Sequence, residues 1–170
     1  MNPAQIHLAL NHVPILLSIT GATILLVGSL KNNDTIKLTA VYVLLCAAIF
    51  AVPVFLTGEG TEEIVEKIQG ISQSDIEKHE SSAKISLILI IATGIVALAS
   101  AILKRKKASF KIAVTTSLIL ALASFGSFLQ TAHSGGIIRH TELRSNSATQ
   151  NQDSKNHEQP IKNESEKDEE

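Results

Sequence analysis

Tryptophan is absent from this chain, and Tyr42 and Cys46 are the only residues of their types. The scarcity of aromatics removes the belt of Trp and Tyr that commonly marks membrane interfaces. A single cysteine excludes an intramolecular disulfide and any cysteine-based metal site. No basic residue precedes Lys31, and no small-residue cleavage pattern follows the first apolar run. That run therefore lacks the marks of a secretory signal and is expected to stay as a helix. CxxCH, HExxH, phosphate-binding, dinucleotide-binding and nucleophile-elbow motifs are all missing. The one thiol lies in an apolar run with no base beside it, so no catalytic activity of its own is expected. The net charge is -1, and no basic patch is interleaved with aromatics. No nucleic-acid partner is expected.

What the chain does have is long apolar runs. Hydrophobic residues make up 45% and charged residues 18%, in separate blocks. A spanning helix needs about 20 mostly apolar residues, and four stretches qualify: 8–30, 38–57, 80–103 (apolar from Ile85 onward) and 110–132. Their stops are Lys31-Asn32-Asn33-Asp34, Gly58-Glu59-Gly60, the basic run Lys104–Lys107, and His133-Ser134-Gly135-Gly136. The expected fold is an all-α integral membrane protein, an antiparallel four-helix transmembrane bundle over 1–144. The polar tail, 145–170, buries almost nothing and is expected to be disordered. No repeat is evident beyond the four spans.

Basic residues near span ends set orientation. Lys31 and Lys37 flank the first connection; Lys104, Arg105, Lys106, Lys107 and Lys111 flank the third. The second is rich in acid, from Glu59 to Glu80. This places both termini outside the cytoplasm, in a bacterial inner (cytoplasmic) membrane, with Arg139 and Arg144 opposing the bias without reversing it. Within the second connection, Ile64, Val65, Ile68 and Ile71 suggest a surface helix over Glu63–Ile71. Ser74 and Glu77 have capping-box spacing, which starts the third helix near Asp75.

Helices in lipid pack through small and hydroxylated residues. One stripe runs His79, Ser86, Thr93, Ser100; another, Ser117, Ser124, Thr131; a third, His7, Asn11, Pro14, Ser18, Gly21, Gly28. His7 and His79 are therefore expected to point toward the bundle axis.

Alternation of the spans brings five histidines to one rim: His7, His12, His79, His133 and His140. Only His157 stands apart, in the tail. Imidazole ligates heme iron and other transition metals. The expected cofactor ligands are His12, His79 and His133, with His7 and His140 as alternates. A bare metal ion would use His12, His79 and His133 with Glu59. His7 and His12 lie about 140° apart around a helix, so one face cannot present both unless Pro14 distorts the turn. The functional expectation is a small heme-b or metal-binding electron-transfer module at the extracytoplasmic rim, exchanging electrons with quinone or a redox protein. The alternative is a non-catalytic subunit that scaffolds or regulates a partner complex. For any one histidine, a helix-end or hydrogen-bonding role is the competing reading. Ion transport ranks last, because no ionisable residue falls mid-span.

The opening His7-x4-His12-Val13-Pro14, the His79 at the head of the third helix, and Gly135-Gly136-Ile137-Ile138-Arg139-His140 resemble an uncharacterised family of bacterial four-span membrane proteins, a domain of unknown function. The resemblance covers roughly Ile6 to Glu142. Some members resemble or are fused to cytochrome-type modules, which implies heme binding here. The chain departs from the family at Glu59, where Asp is typical, and at Arg139, where an apolar or aromatic residue is typical.

Overall fold

The structure, a computed structural model, describes residues 2–140. All regular structure among them is helical: α1 Pro3–Leu10, α2 His12–Leu30, α3 Asp34–Val65, α4 Gln73–Ile102, a 3-10 turn Leu103–Arg105, and α5 Lys107–Arg139. Four helices are long and apolar enough to cross a membrane, with α1 and α2 counted as one, Pro3–Leu30. The tail expected to be disordered, and His157 within it, lie outside the described residues.

The helices run past several expected stops. Gly58 and Gly60 lie inside α3, and Gly135 and Gly136 inside α5. A helical glycine costs about 1 kcal/mol relative to alanine, which weakens a helix without ending it. Because α3 continues to Val65, the expected surface helix does not form. Ile64 and Val65 close α3, whereas Ile68 and Ile71 lie in the irregular segment that follows. Gly70, at φ 88°, bends that segment in a conformation side chains resist. The capping box at Ser74 does not form either. α4 starts at Gln73 with Ser72 as N-cap, and the Ser72 and Ser74 hydroxyls pair with each other at 2.8 Å.

The joint between α1 and α2 falls at Asn11, three residues before Pro14. Proline offers no N–H to the Leu10 carbonyl, which loosens the ladder there. Asn11 nevertheless keeps a right-handed helical backbone, and its N–H donates to the His7 carbonyl at 2.8 Å. The chain thus keeps its course through the joint.

The helices form a closed ring: α2 against α3, α3 against α4, α4 against α5, and α5 back against α2, while α1 packs on α3. The small-residue stripes face inward, with Pro14, Ser18, Gly21, Gly28, Ser86, Thr93, Ser100, Ser117 and Ser124 all buried. A Cβ on Gly94 would sit 2.7 Å from the Ala48 Cβ, and one on Gly28 would sit 2.9 Å from the Lys37 nitrogen. Between α4 and α5 the contact is hydroxyl to hydroxyl. Ser86 Oγ pairs with Ser127 Oγ at 2.7 Å and with Thr131 Oγ1 at 2.9 Å, and Thr93 Oγ1 pairs with Ser124 Oγ at 3.0 Å. Lys37 is buried in the first turn of α3. It bonds Asp34 at 2.9 Å and Asn32 at 3.3 Å, and lies 5.5 Å from the Phe110 ring centroid.

Two substitutions separate these contacts. Gly94→Val wedges α3 from α4 against a methyl group that cannot swing away, at a cost of about 2 kcal/mol. Ser86→Ala takes a partner from the Ser127 hydroxyl and from the Thr131 hydroxyl, which keeps its bond to the Ser127 carbonyl, at a cost of about 1 kcal/mol. Thermal unfolding of both variants in one detergent is expected to rank Gly94→Val as the more damaging.

Candidate functional site

The site is built from two imidazoles, each seated on a neighbouring helix. His7 leaves α1, and its Nδ1 lies 2.9 Å from the Val54 carbonyl oxygen on α3. A carbonyl can only accept, so Nδ1 carries the hydrogen. In the neutral ring, Nε2 is then the lone-pair nitrogen. The ring lies over Gly58, where a Cβ would come within 3.3 Å of the His7 Cε1. The hydroxyl of Thr57, the residue before that glycine, also donates to the Val54 carbonyl at 3.0 Å, and to that of Pro53 at 2.9 Å.

His79 repeats the arrangement one helix pair later. Its Nδ1–H lies 3.0 Å from the Thr131 carbonyl oxygen on α5 and 3.3 Å from Ser134 Oγ. Its ring covers Gly135, where a Cβ would sit 3.0 Å from Cε1. The Ser134 hydroxyl, again next to the glycine, donates to the same carbonyl at 2.9 Å. Both rings are half-buried. The charge of His7 acts on His79.

Among the described residues, no protein group partners either Nε2. One turn after His7, on the same face of the chain, the Asn11 Oδ1 is buried without a partner. Three acceptors at this end therefore lack a protein partner among the described residues: two imidazole lone pairs and one buried amide oxygen. What such a set can do is bind a metal centre or accept hydrogen bonds from a ligand.

Of the expected ligands, the structure seats His7 and His79 on neighbouring helices, against Val54 and Thr131. His12, His133 and His140 lie at exposed positions. The choice between His7 and His12 was not legible from spacing, because it depends on the course of the backbone through the Asn11 joint. His133 sits on the outer face of α5, beside the residues that receive His79. Glu59 is exposed and belongs to a different group: its charge acts on Glu62, together with those of Glu80 and Glu66. Partial burial and those neighbouring carboxylates hold the Glu62 carboxyl above its ordinary range. Among the described residues, no group of three or more His, Cys, Asp and Glu side chains is placed to hold a metal ion. A cavity of about 600 Å³ lies beside His140, lined by Ile68, Ile71, Ile138 and Arg139, and neither seated ring borders it.

Asn11 and the two glycine seats are the parts that sequence reading missed as functional. Asn11 was visible as a member of the packing stripe, and Gly58 and Gly135 as helix stops. Their role beneath the imidazoles depends on which helix each ring leans on.

The seats can be tested with adjacent glycines. Gly135→Ala places a methyl against the His79 ring, whereas Gly136→Ala meets nothing within 4 Å. In ¹⁵N NMR of histidine-labelled protein in detergent, Gly135→Ala is expected to shift the His79 ring nitrogens. Gly136→Ala is expected to leave them in place. Equal shifts from both would remove the seat as the cause.

Comparison with protein-family models, with curated proteins and with solved structures finds no match to this chain.

Proposed function

We propose that the protein is a multi-pass protein of the bacterial inner membrane, an antiparallel four-helix bundle that binds heme b between His7 and His79 and transfers electrons at its extracytoplasmic rim. The observation that carries this reading is the pair of matched imidazoles. Each donates Nδ1–H to a backbone carbonyl and leaves its Nε2 lone pair unused, which is the tautomer and hydrogen-bond support a ligating histidine has. A protein-held zinc or copper site commonly takes three or more side chains. Heme asks for two axial ligands, and the two imidazoles come from different helices.

The fit extends to the surroundings. The glycines under the rings leave room for the imidazoles close to the neighbouring backbone, and the carbonyls fix the ring planes. Asn11 would meet a polar part of the bound group. When bound, heme b supplies a one-electron carrier; the chain's own residues hold it, orient it and limit its contact with water. Quinone in the bilayer or an extracytoplasmic redox protein is the expected electron partner.

Membrane insertion is supported by the outward faces, where Ile49, Ile88, Ile95 and Ile119 are each more than 60% exposed. Water would penalise such a surface; lipid does not. Lys31 and the run Lys104–Lys107 lie at the ends of α2 and α4 away from the imidazoles, which supports cytoplasmic placement of that end. The resemblance to a four-span bacterial family points the same way. A second reading, a scaffold subunit that meets a partner through its acidic connection, draws on the grouping of Glu59, Glu62, Glu66 and Glu80.

Protein purified in mild detergent from heme-replete cells is expected to show the spectrum of six-coordinate, low-spin heme b. His7→Ala and His79→Ala should each lose it, while His12→Ala and His133→Ala keep it. A colourless, metal-free wild-type protein would sink the heme reading and leave the scaffold reading standing.

A further inference from the structure

The two histidine seats share an Nδ1–H to carbonyl bond, a hydroxyl donating to the same carbonyl and a glycine under the ring, and the match continues down the helices. The buried positions of α2 are Pro14, Ser18, Gly21, Ala22, Leu25 and Gly28. Moved by the constant interval that carries His7 onto His79, they fall on Ser86, Ile90, Thr93, Gly94, Ala97 and Ser100, every one buried in α4. The interval that carries Gly58 onto Gly135 also carries Val54 onto Thr131 and Thr57 onto Ser134. It takes buried Lys37, Ala40, Leu44 and Ala47 of α3 onto buried Val114, Ser117, Ala121 and Ser124 of α5. Most paired residues differ in identity, so direct comparison of the sequence with itself shows little. The burial pattern and the hydrogen bonds are what repeat.

We infer that the chain is a tandem repeat of one helical hairpin, that its two histidine seats are equivalent halves of a single binding site, and that Thr57 and Ser134 are the positioning residues of those halves. This rests on the proposed heme reading for the nature of the ligand, and on geometry alone for the equivalence.

The ring order follows. α2 touches α3 and α5, and α4 touches the same two. With α1 and α2 counted as one span, the spans that carry His7 and His79 are therefore diagonal in the bundle, with the receiving helices on the other diagonal. A ligand bound by both rings lies between the hairpins and contacts equivalent groups from each. The halves differ at Asn11, whose counterpart is Ala83. The unpartnered Asn11 amide thus marks one side of an otherwise matched site.

The positioning role has a definite sign. In each half a hydroxyl and an imidazole N–H share one carbonyl oxygen. Removing the Thr57 hydroxyl leaves the Val54 carbonyl a stronger acceptor for the imidazole alone, whereas removing the Ser134 hydroxyl also takes away an oxygen 3.3 Å from His79 Nδ1, which offsets that gain. The His7 ring gains electron density, which favours oxidised iron on its Nε2 and lowers the midpoint potential.

The test uses the full chain with Thr57→Val, Ser134→Ala and the double variant, in two measurements. In ¹⁵N NMR of the cofactor-free protein, His7 and His79 are both expected in the Nδ1–H tautomer. Thr57→Val should move only the His7 ring nitrogens, and Ser134→Ala only those of His79. On titration with iron protoporphyrin IX, the wild type is expected to take up one equivalent per chain. Thr57→Val should lower the midpoint potential, Ser134→Ala should change it by less, and the double variant should shift it by about their sum. A ring in the Nε2–H tautomer, or ring shifts from only one variant, would overturn the equivalence. So would two macrocycles per chain. A wild type that binds no iron protoporphyrin overturns the heme reading alone, and the ring nitrogens still decide between matched and unmatched seats.

Discussion

The hydrogen bond from an imidazole N–H to a carbonyl on the next helix is the interaction on which the histidine end depends. It needs room for the ring against the neighbouring helix, and Gly58 and Gly135 leave that room by carrying no side chain. A polar ring in such surroundings must be paired, since an unmet N–H costs more than a bond to water returns. Once Nδ1–H is committed to Val54 or Thr131, the ring plane and tautomer are settled, and Nε2 is left with its lone pair. The chemistry proposed for this end is a consequence of that commitment.

The same logic holds the remainder of the ring together. The outward surfaces are as apolar as the inward ones, so burial of hydrophobic area alone does not choose which face of each helix turns inside. Close backbone approach and interhelical hydroxyl pairs make that choice instead. Gly28 and Gly94 set the distances of α2 and α4 from α3, while Ser86 and Thr93 join α4 to α5. Serine and threonine here bond both their own helix and their neighbour, which satisfies their polarity inside an apolar ring.

An internal repeat explains why a site between hairpins would have two similar halves. Equivalent elements related by a diagonal exchange offer matched ligands to a flat group between them. The surrounding residues differ where only packing is required: Thr93 bonds Ser124, whereas their counterparts Gly21 and Ala47 carry no hydroxyl. The seats have kept their hydrogen bonds, because each part of them fixes one degree of freedom of the ring.

The number of long apolar helices, their approximate limits and the inward stripes were determined by sequence alone, since hydropathy and spacing are local properties of the chain. So was the place of His79 at the head of one such stripe. Only the tertiary structure decided that α3 and α5 run through their glycines, because a helical glycine is tolerated where a neighbour packs on it. It also decided between His7 and His12 as the inward residue, through the nearly straight joint at Asn11. It turned Glu59 toward other carboxylates, and it exposed the repeat, which resides in burial and hydrogen bonding rather than in residue identity. Spacing along one helix places a residue on a face; which carbonyl or glycine meets that face depends on the packing of a second helix far away in sequence.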